Sequence, residues 1–280
     1  MITAEQKLTA LKEILLDYRS TLIAYSGGVD SVFLAKVAHD TLGEKSLAVI
    51  ADSPSLPRRE FEEALALGKQ FGFPVRVVQT NEMEDPNYTA NPANRCYFCK
   101  HELFDSLAPI ARAEHFAVLC YGENASDIGD HRPGAQAATE FSVKAPLKVV
   151  GLTKTEIREL SRALGLPTAE KPQMACLSSR LPYGEEVTTE KLAMIEAAEN
   201  VLRDAGFHDV RVRHHSSKNG SLARLEVGSN EIPRLLSEDL REQIAVALRK
   251  IGYAQVTVDL LGYRRGSLNQ KREVRSQNSE

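Results

Sequence analysis

The spacing of apolar positions changes several times along the chain, and each change marks an element. Across residues 3–19, Leu8, Leu11, Ile14, Leu15 and Tyr18 recur at helical spacing and predict an amphipathic helix. Thr21-Leu22-Ile23-Ala24-Tyr25 predicts a short buried strand, and the stretch from Val32 to Ala38 reads as the helix after it. The rhythm continues with a strand at 46–51, a helix at 58–71 and a strand at 74–78. A polar segment, 80–94, then leads to a helix carrying Leu103, Phe104, Leu107 and Ile110, and 116–121 reads as a fourth strand. Strands that are apolar at nearly every position, alternating with helices, predict an α/β fold with a parallel sheet covered on both faces. Ligands of such sheets sit beyond the carboxyl ends of the strands. Thr153-Lys154-Thr155-Glu156 has the spacing of a capping box before a helix through Leu164, which Gly165-Leu166-Pro167 ends.

The texture changes near Tyr183-Gly184. Downstream, a helix at 189–205, alternating strands at 210–213 and 222–227, a helix at 238–252 and a strand at 256–260 predict a smaller α+β domain with one wet sheet face. The expected division is 1–180 for the parallel-sheet domain and 181–266 for the small one. Residues 267–280, basic at Lys271, Arg272 and Arg275 and almost without apolar residues, are expected to be a disordered tail. The whole, 280 residues with 42% hydrophobic and 26% charged, has the composition of a soluble globular protein. A formal charge of −3 excludes a global basic field for nucleic acid. No apolar run reaches membrane-spanning length and the N-terminus lacks a signal-peptide core, so the expected location is the cytoplasm, with no membrane partner. Four cysteines in so long a chain are not a disulfide framework; they read as metal ligands, nucleophiles or core.

The chemistry concentrates in Ser26-Gly27-Gly28-Val29-Asp30-Ser31, between the first strand and its helix. A glycine pair there lets backbone N–H groups close around one anion with the helix N-terminus behind them, while Ser26 and Ser31 add hydroxyls. Asp30 is out of place beside an anion unless it orders the loop or meets a metal or a nucleophile. The loop lacks the Lys-Ser/Thr pair of the Walker pattern. It resembles instead the Ser-Gly-Gly-x-Asp-Ser pyrophosphate loop of the PP-loop ATP pyrophosphatases. That resemblance implies a Rossmann-like domain that uses ATP with Mg2+, splits it between the α and β phosphates, passes AMP to a substrate and releases pyrophosphate. Asp52 and Ser53, at the end of the second strand, join the loop as nucleotide-binding candidates. So do Gly122, Asp127 and Arg132, in the polar turn 122–134 after the fourth strand. The plainer reading of that turn is an ordinary capped loop, since Asn and Asp favour turns.

Cys96 and Cys99 form a C-x-x-C where a loop enters a helix, and such a pair serves zinc, a redox disulfide or an iron–sulfur cluster. Zinc requires two more ligands, and no second C-x-x-C or C-x-x-H is present. Cys176 lies in a proline-rich, aperiodic stretch that reads as a loop, whereas Cys120, inside an apolar strand, reads as core. Three cysteines without a fourth can hold a four-iron cluster with one iron open to chemistry. Alternatively the pair is a disulfide or stays reduced while Cys176 acts alone as a nucleophile.

The loop 26–31, the run 122–127 through Arg132-Pro133-Gly134, and 176–180 with Pro182-Tyr183-Gly184 together resemble, over nearly the whole chain, the LarE family of ATP-dependent sulfur-insertion enzymes of nickel-pincer nucleotide synthesis. The resemblance implies adenylation of the carboxylates of pyridinium-3,5-biscarboxylate mononucleotide, attack by sulfur, loss of AMP and a thiocarboxylate product. In one branch of the family the cysteine in the place of Cys176 gives up its own sulfur; in the other, three cysteines carry a [4Fe-4S] cluster that delivers sulfide. Cys96 and Cys99 make this chain resemble the second branch. The resemblance further implies that Ser179, Arg180, Arg211 and Arg213 hold the substrate phosphate, that Glu199 binds a metal, and that the protein is a homo-oligomer, in some relatives a hexamer. No clear counterpart of a further acidic metal ligand is found around Asn230-Glu231. The rivals are a tRNA thiolation enzyme, which would show a basic surface, an ammonia-dependent amide ligase, in which Cys176 would have no task, and an ATP-binding regulator.

Overall fold

A computed structural model describes residues 2–127, 133–172 and 175–264. Contacts divide the chain into two compact units, Met1–Cys176 and Leu177–Glu280. The expected tail at 267–280 lies outside the described residues.

In the first unit, α1 (Ala4–Tyr18) begins at Thr3, whose hydroxyl accepts from Gln6 N–H while the Gln6 side chain accepts from Thr3 N–H. The elements after it are β1 (Thr21–Tyr25), α2 (Val29–Leu42), β2 (Ser46–Asp52), α3 (Arg58–Phe71) and β3 (Val75–Gln79). A short α4 (Pro86–Thr89), the long α5 (Arg95–Ala113) and β4 (Val118–Tyr121) follow. Next are α6 (Pro133–Glu140), α7 (Pro146–Val149) and α8 (Lys154–Ala163), the last opened by the expected capping box at Thr153 and Glu156. The four strands form one parallel sheet in the order β3-β2-β1-β4. Alternate residues of the central strands feed two cores. Ile23, Tyr25, Ala48 and Ile50 pack with α1, α2, α3 and α8; Leu22, Ala24, Leu47 and Val49 pack with Phe104 and Leu107 of α5 and with α6. A strand buried on both faces must be apolar at every position, which is why no polar period was visible there. The strand order turns back between β1 and β4, so the loops leaving these two strands flank the crevice in which doubly wound sheets bind ligands.

The second unit has α9 (Thr189–Asp204), β5 (Arg211–Ser217), β6 (Gly220–Glu226), α10 (Ile232–Leu235), α11 (Glu238–Ile251) and β7 (Tyr253–Val258). β5 and β6 are an antiparallel hairpin, and β7 joins β6 in parallel after the helical crossover. The wet sheet face expected here is not wet along the first half of β5: Arg211 and Arg213 are each only 6% exposed. The cause is local, because buried carboxylates on α9 and β6 draw these side chains inward.

Candidate functional site

The loop after β1 is built for close approach. Gly27 has φ +70°, and a Cβ added there would stand 2.6 Å from the Ala64 Cβ of α3, so only glycine fits. Gly28 is the N-cap of α2 and makes no side-chain cap, which leaves the first-turn amides facing the loop. Ser31 Oγ braces the turn: it accepts from Ser26 N–H at 3.2 Å, donates to the Gly28 carbonyl at 3.1 Å and lies 3.1 Å from Ser26 Oγ. Gly122, leaving β4, presses on the same place, since a Cβ there would meet Ser31 N at 3.0 Å. Asp30 is held by Lys154 of α8, with Nζ–Oδ2 at 2.5 Å. Around this loop opens a cavity of about 340 Å3 lined by Ser26, Gly28, Asp30, Ser31, Gly122 and Glu123 and, from α5, by Cys96 and Lys100. Glu123 enters it as a carboxylate paired with Lys148 at 3.0 Å and taking the Tyr121 hydroxyl proton as a hydrogen bond.

The thiols gather at the N-terminal end of α5. Cys96 lines the cavity, one turn before Cys99, and Cys176 belongs to the same unit. All three are thiols outside any disulfide. Desolvation pushes the Cys96 thiol up, and Cys176 adds to this, while Arg95 and Lys100 pull it back. Cys99 is raised much further, again by desolvation first and then by Cys176 and Glu82. Cys120 is fully buried in the core, and burial pushes it up to about 12. Among the described residues no three ligating side chains converge on a single ion's position.

The arginines of the second unit are arranged differently. Arg180 is fully buried and grips Glu199 with Nε–Oε1 at 2.8 Å and Nη2–Oε2 at 3.0 Å. Glu199 also accepts from Val212 N–H at 3.1 Å and from Arg203 at 3.3 Å. Four donors fill the four lone-pair positions of this carboxylate. Burial works to raise its pKa, but the Arg180 charge and hydrogen bonds outweigh that and hold it low. Arg213 is bidentate on Glu226 at 3.0 and 2.8 Å and donates to the Ser179 carbonyl at 2.9 Å. Arg211 lies over the Tyr263 ring at 4.9 Å and donates to the Val210 carbonyl; burial and the nearby Arg180 make it less basic than usual.

No family model matches the chain. It is 46% identical over 265 residues to an uncharacterized protein of Synechocystis, covering 95% of this chain and 97% of that one. It is 32% identical over 270 residues to the pyridinium-3,5-bisthiocarboxylic acid mononucleotide synthase of Lactiplantibacillus plantarum, covering 96% of each. The chain belongs to that synthase family. More distantly, it is 28% identical over 202 residues to a subunit of the glutamine-hydrolyzing GMP synthase of Methanococcus maripaludis, covering 68% of this chain and 64% of that one. The bisthiocarboxylic acid synthase match spans both units, whereas the GMP synthase match is confined to about two thirds of the chain.

Within this synthase-family chain, Ser26, Gly28, Asp30, Ser31, Gly122 and Cys96 line one cavity. Gly27 shapes the loop from behind. Asp52 and Ser53, expected at the nucleotide, do not line it. Gln79 and Arg58 hydrogen-bond Asp52 and hold its carboxyl low against the opposing effect of burial, while the Ser53 hydroxyl turns inward to Glu82 and Ser55. Asp127 accepts from Asn124 N–H at 3.2 Å and closes its own turn. Arg132 lies outside the described residues. Lys100, Tyr121, Lys148 and Lys154 carried no motif and were missed. Arg95 was missed too, since nothing local shows that a charged residue before a C-x-x-C turns inward.

Proposed function

We propose that this chain is an ATP-dependent sulfur transferase that adenylates the carboxylates of pyridinium-3,5-biscarboxylate mononucleotide and converts them to thiocarboxylates. The observation that supports it most is the shared cavity: a phosphate loop of amides and hydroxyls and a cysteine on one wall. In this reading the loop amides, Ser26 and Ser31 hold the phosphates of Mg–ATP, with Asp30 facing the metal. A substrate carboxylate oxygen attacks the α phosphorus and pyrophosphate leaves. Sulfur then attacks the acyl carbon; the C–S bond forms, the C–O bond to AMP breaks, and AMP departs with that electron pair. An acyl-adenylate is a good electrophile because its leaving group is stable. Walls lined by Leu103 and Tyr121 keep water off that intermediate.

Three mutually interacting thiols outside any disulfide suit a four-iron cluster, whose ligands spread over the corners of a cube rather than meeting at a point. We assign Cys96, Cys99 and Cys176 as its ligands; when bound it would supply the sulfide for transfer from its open iron. Sacrifice of the Cys176 sulfur is the second reading, with Arg95 Nη2 4.0 Å from its Sγ. In the second unit we assign Arg211 and Ser179 to the substrate phosphate and give Arg180 and Arg213 the task of fixing the strand beneath them. A two-domain division of work and a homo-oligomeric state are part of the same proposal, the latter checked by light scattering. Among the described residues no helix is long and apolar enough to cross a membrane. Pyrophosphate released only when the pyridinium dicarboxylate is supplied is the expected result. Anaerobic reconstitution should give a four-iron absorbance that Cys96→Ala abolishes, and a chain binding no iron under those conditions moves the sulfur source to Cys176.

A further inference from the structure

Arg95 opens α5 and is only 4% exposed. A cation in the first turn of a 19-residue helix faces the positive end of its dipole, and burial adds a desolvation cost. Its fork nevertheless meets Asn91 and Cys176. Nη1 donates to Asn91 Oδ1, and Nη2 lies 4.0 Å from Cys176 Sγ, within reach of an N–H···S hydrogen bond. Asn91 is itself fully buried and sits at φ +53°, a left-handed backbone that asparagine adopts more readily than most side chains. A buried amide thus meets a buried guanidinium, and the guanidinium faces a thiol. For packing alone, an apolar side chain would serve better at this position.

We propose that Arg95 is the positioning residue of the sulfur-delivery step, holding the Cys176 sulfur beside Cys96 and presenting it with a fixed positive charge. The inference rests on the proposed function, because only a sulfur donor at Cys176 gives that charge a task. It applies whether Cys176 gives its own sulfur or ligates the group that does. Asn91 is the second half of the device: its amide oxygen sets the guanidinium plane and so the direction of the N–H groups that meet sulfur. Lysine, a point charge without the fork, cannot satisfy Asn91 and Cys176 together in the same way.

The test compares the wild-type chain with Arg95→Met, Arg95→Lys and Asn91→Gly, the last keeping the left-handed backbone while removing the amide. In reduced, metal-free protein, alkylation of Cys176 by iodoacetamide is followed by peptide mass spectrometry, and protection of the buried Cys120 reports that each variant is folded. Without the fork the Cys176 sulfur is no longer held at one place, so its alkylation rate should change about tenfold in Arg95→Met, with recovery on adding guanidinium, and less in Asn91→Gly. A folded Arg95→Met that alkylates at the wild-type rate overturns the proposal. Should Arg95→Met lose Cys120 protection, an unchanged rate in both Arg95→Lys and Asn91→Gly overturns it equally. The second readout is thiocarboxylate formed per pyrophosphate released, which should fall in the same order. If the wild-type chain releases no pyrophosphate with the pyridinium dicarboxylate, the functional reading fails, and the alkylation rates still decide Arg95.

Discussion

The loop after β1 and the arginine cluster of the second unit both concentrate groups that attract anions, yet they are built on opposite principles. In the first, the donors are backbone amides and short hydroxyls at the end of a strand, braced by one another and turned toward a cavity. In the second, Arg180 and Arg213 are taken up by Glu199 and Glu226, both almost without exposed surface. Charge content therefore says little about where an anion binds. What matters is whether the charge is already neutralised by a partner inside the fold. The first-turn amides of α2 stay open because Gly28, at its N-cap, has no side chain to bond them.

The comparison breaks most visibly at Glu199. Glu199→Ala leaves the buried Arg180 without its carboxylate and should cost about 3–5 kcal/mol. Hydrogen exchange should place that loss in residues 177–264; an equal loss in both units would mean that they do not fold separately. Gly27→Ala acts on the other side of the comparison. It combines a left-handed backbone with a Cβ–Cβ clash at 2.6 Å, so about 2–3 kcal/mol of stability should go, together with ATP affinity measured by calorimetry. Ser31→Ala removes the internal brace of the loop and should cost about 1 kcal/mol in urea denaturation, with a weaker ATP titration.

The smallest expected effect is in pH. His214 is buried, its Nδ1 lies 3.3 Å from the Tyr253 hydroxyl, and desolvation lowers its pKa, with Lys191 and His215 acting in the same sense and Glu185 and Glu190 against it. Its folded pKa lies below the unfolded value of about 6.5, so the unfolded chain takes up a proton first as pH falls. The stability it contributes is complete above that pH and is lost as pH drops through it toward the folded value. Thermal melts of the second unit should therefore decline from neutral to mildly acidic pH, and His214→Gln should flatten the decline.

Much of the first unit was legible because its strands are apolar without a break and its caps are spelled out, as at Thr153 and Glu156. The loop 26–31 was legible for a related reason: its donors come from the backbone, and only the glycines and serines around them need to be read. The short helices α4, α6 and α7 were missed because four to eight residues are too few to show a helical period. The pairing of Arg180 with Glu199 and of Arg213 with Glu226 joins different elements, so no spacing along the chain shows it. Asp52 and Ser53 end the right strand at the right sheet edge, but Arg58, Gln79 and Glu82 claim their side chains.

The contact of Gly27 with Ala64 has a consequence for variation in this chain. Ala64 is fully buried against the loop, and its carbonyl also takes the Tyr25 hydroxyl at 3.0 Å. A saturation library at position 64 should therefore retain glycine, alanine and serine and discard the rest, although the residue never touches the cavity. Helix α3 works as a gauge block for the loop, and its surface at this one point sets the size of the space an anion can enter.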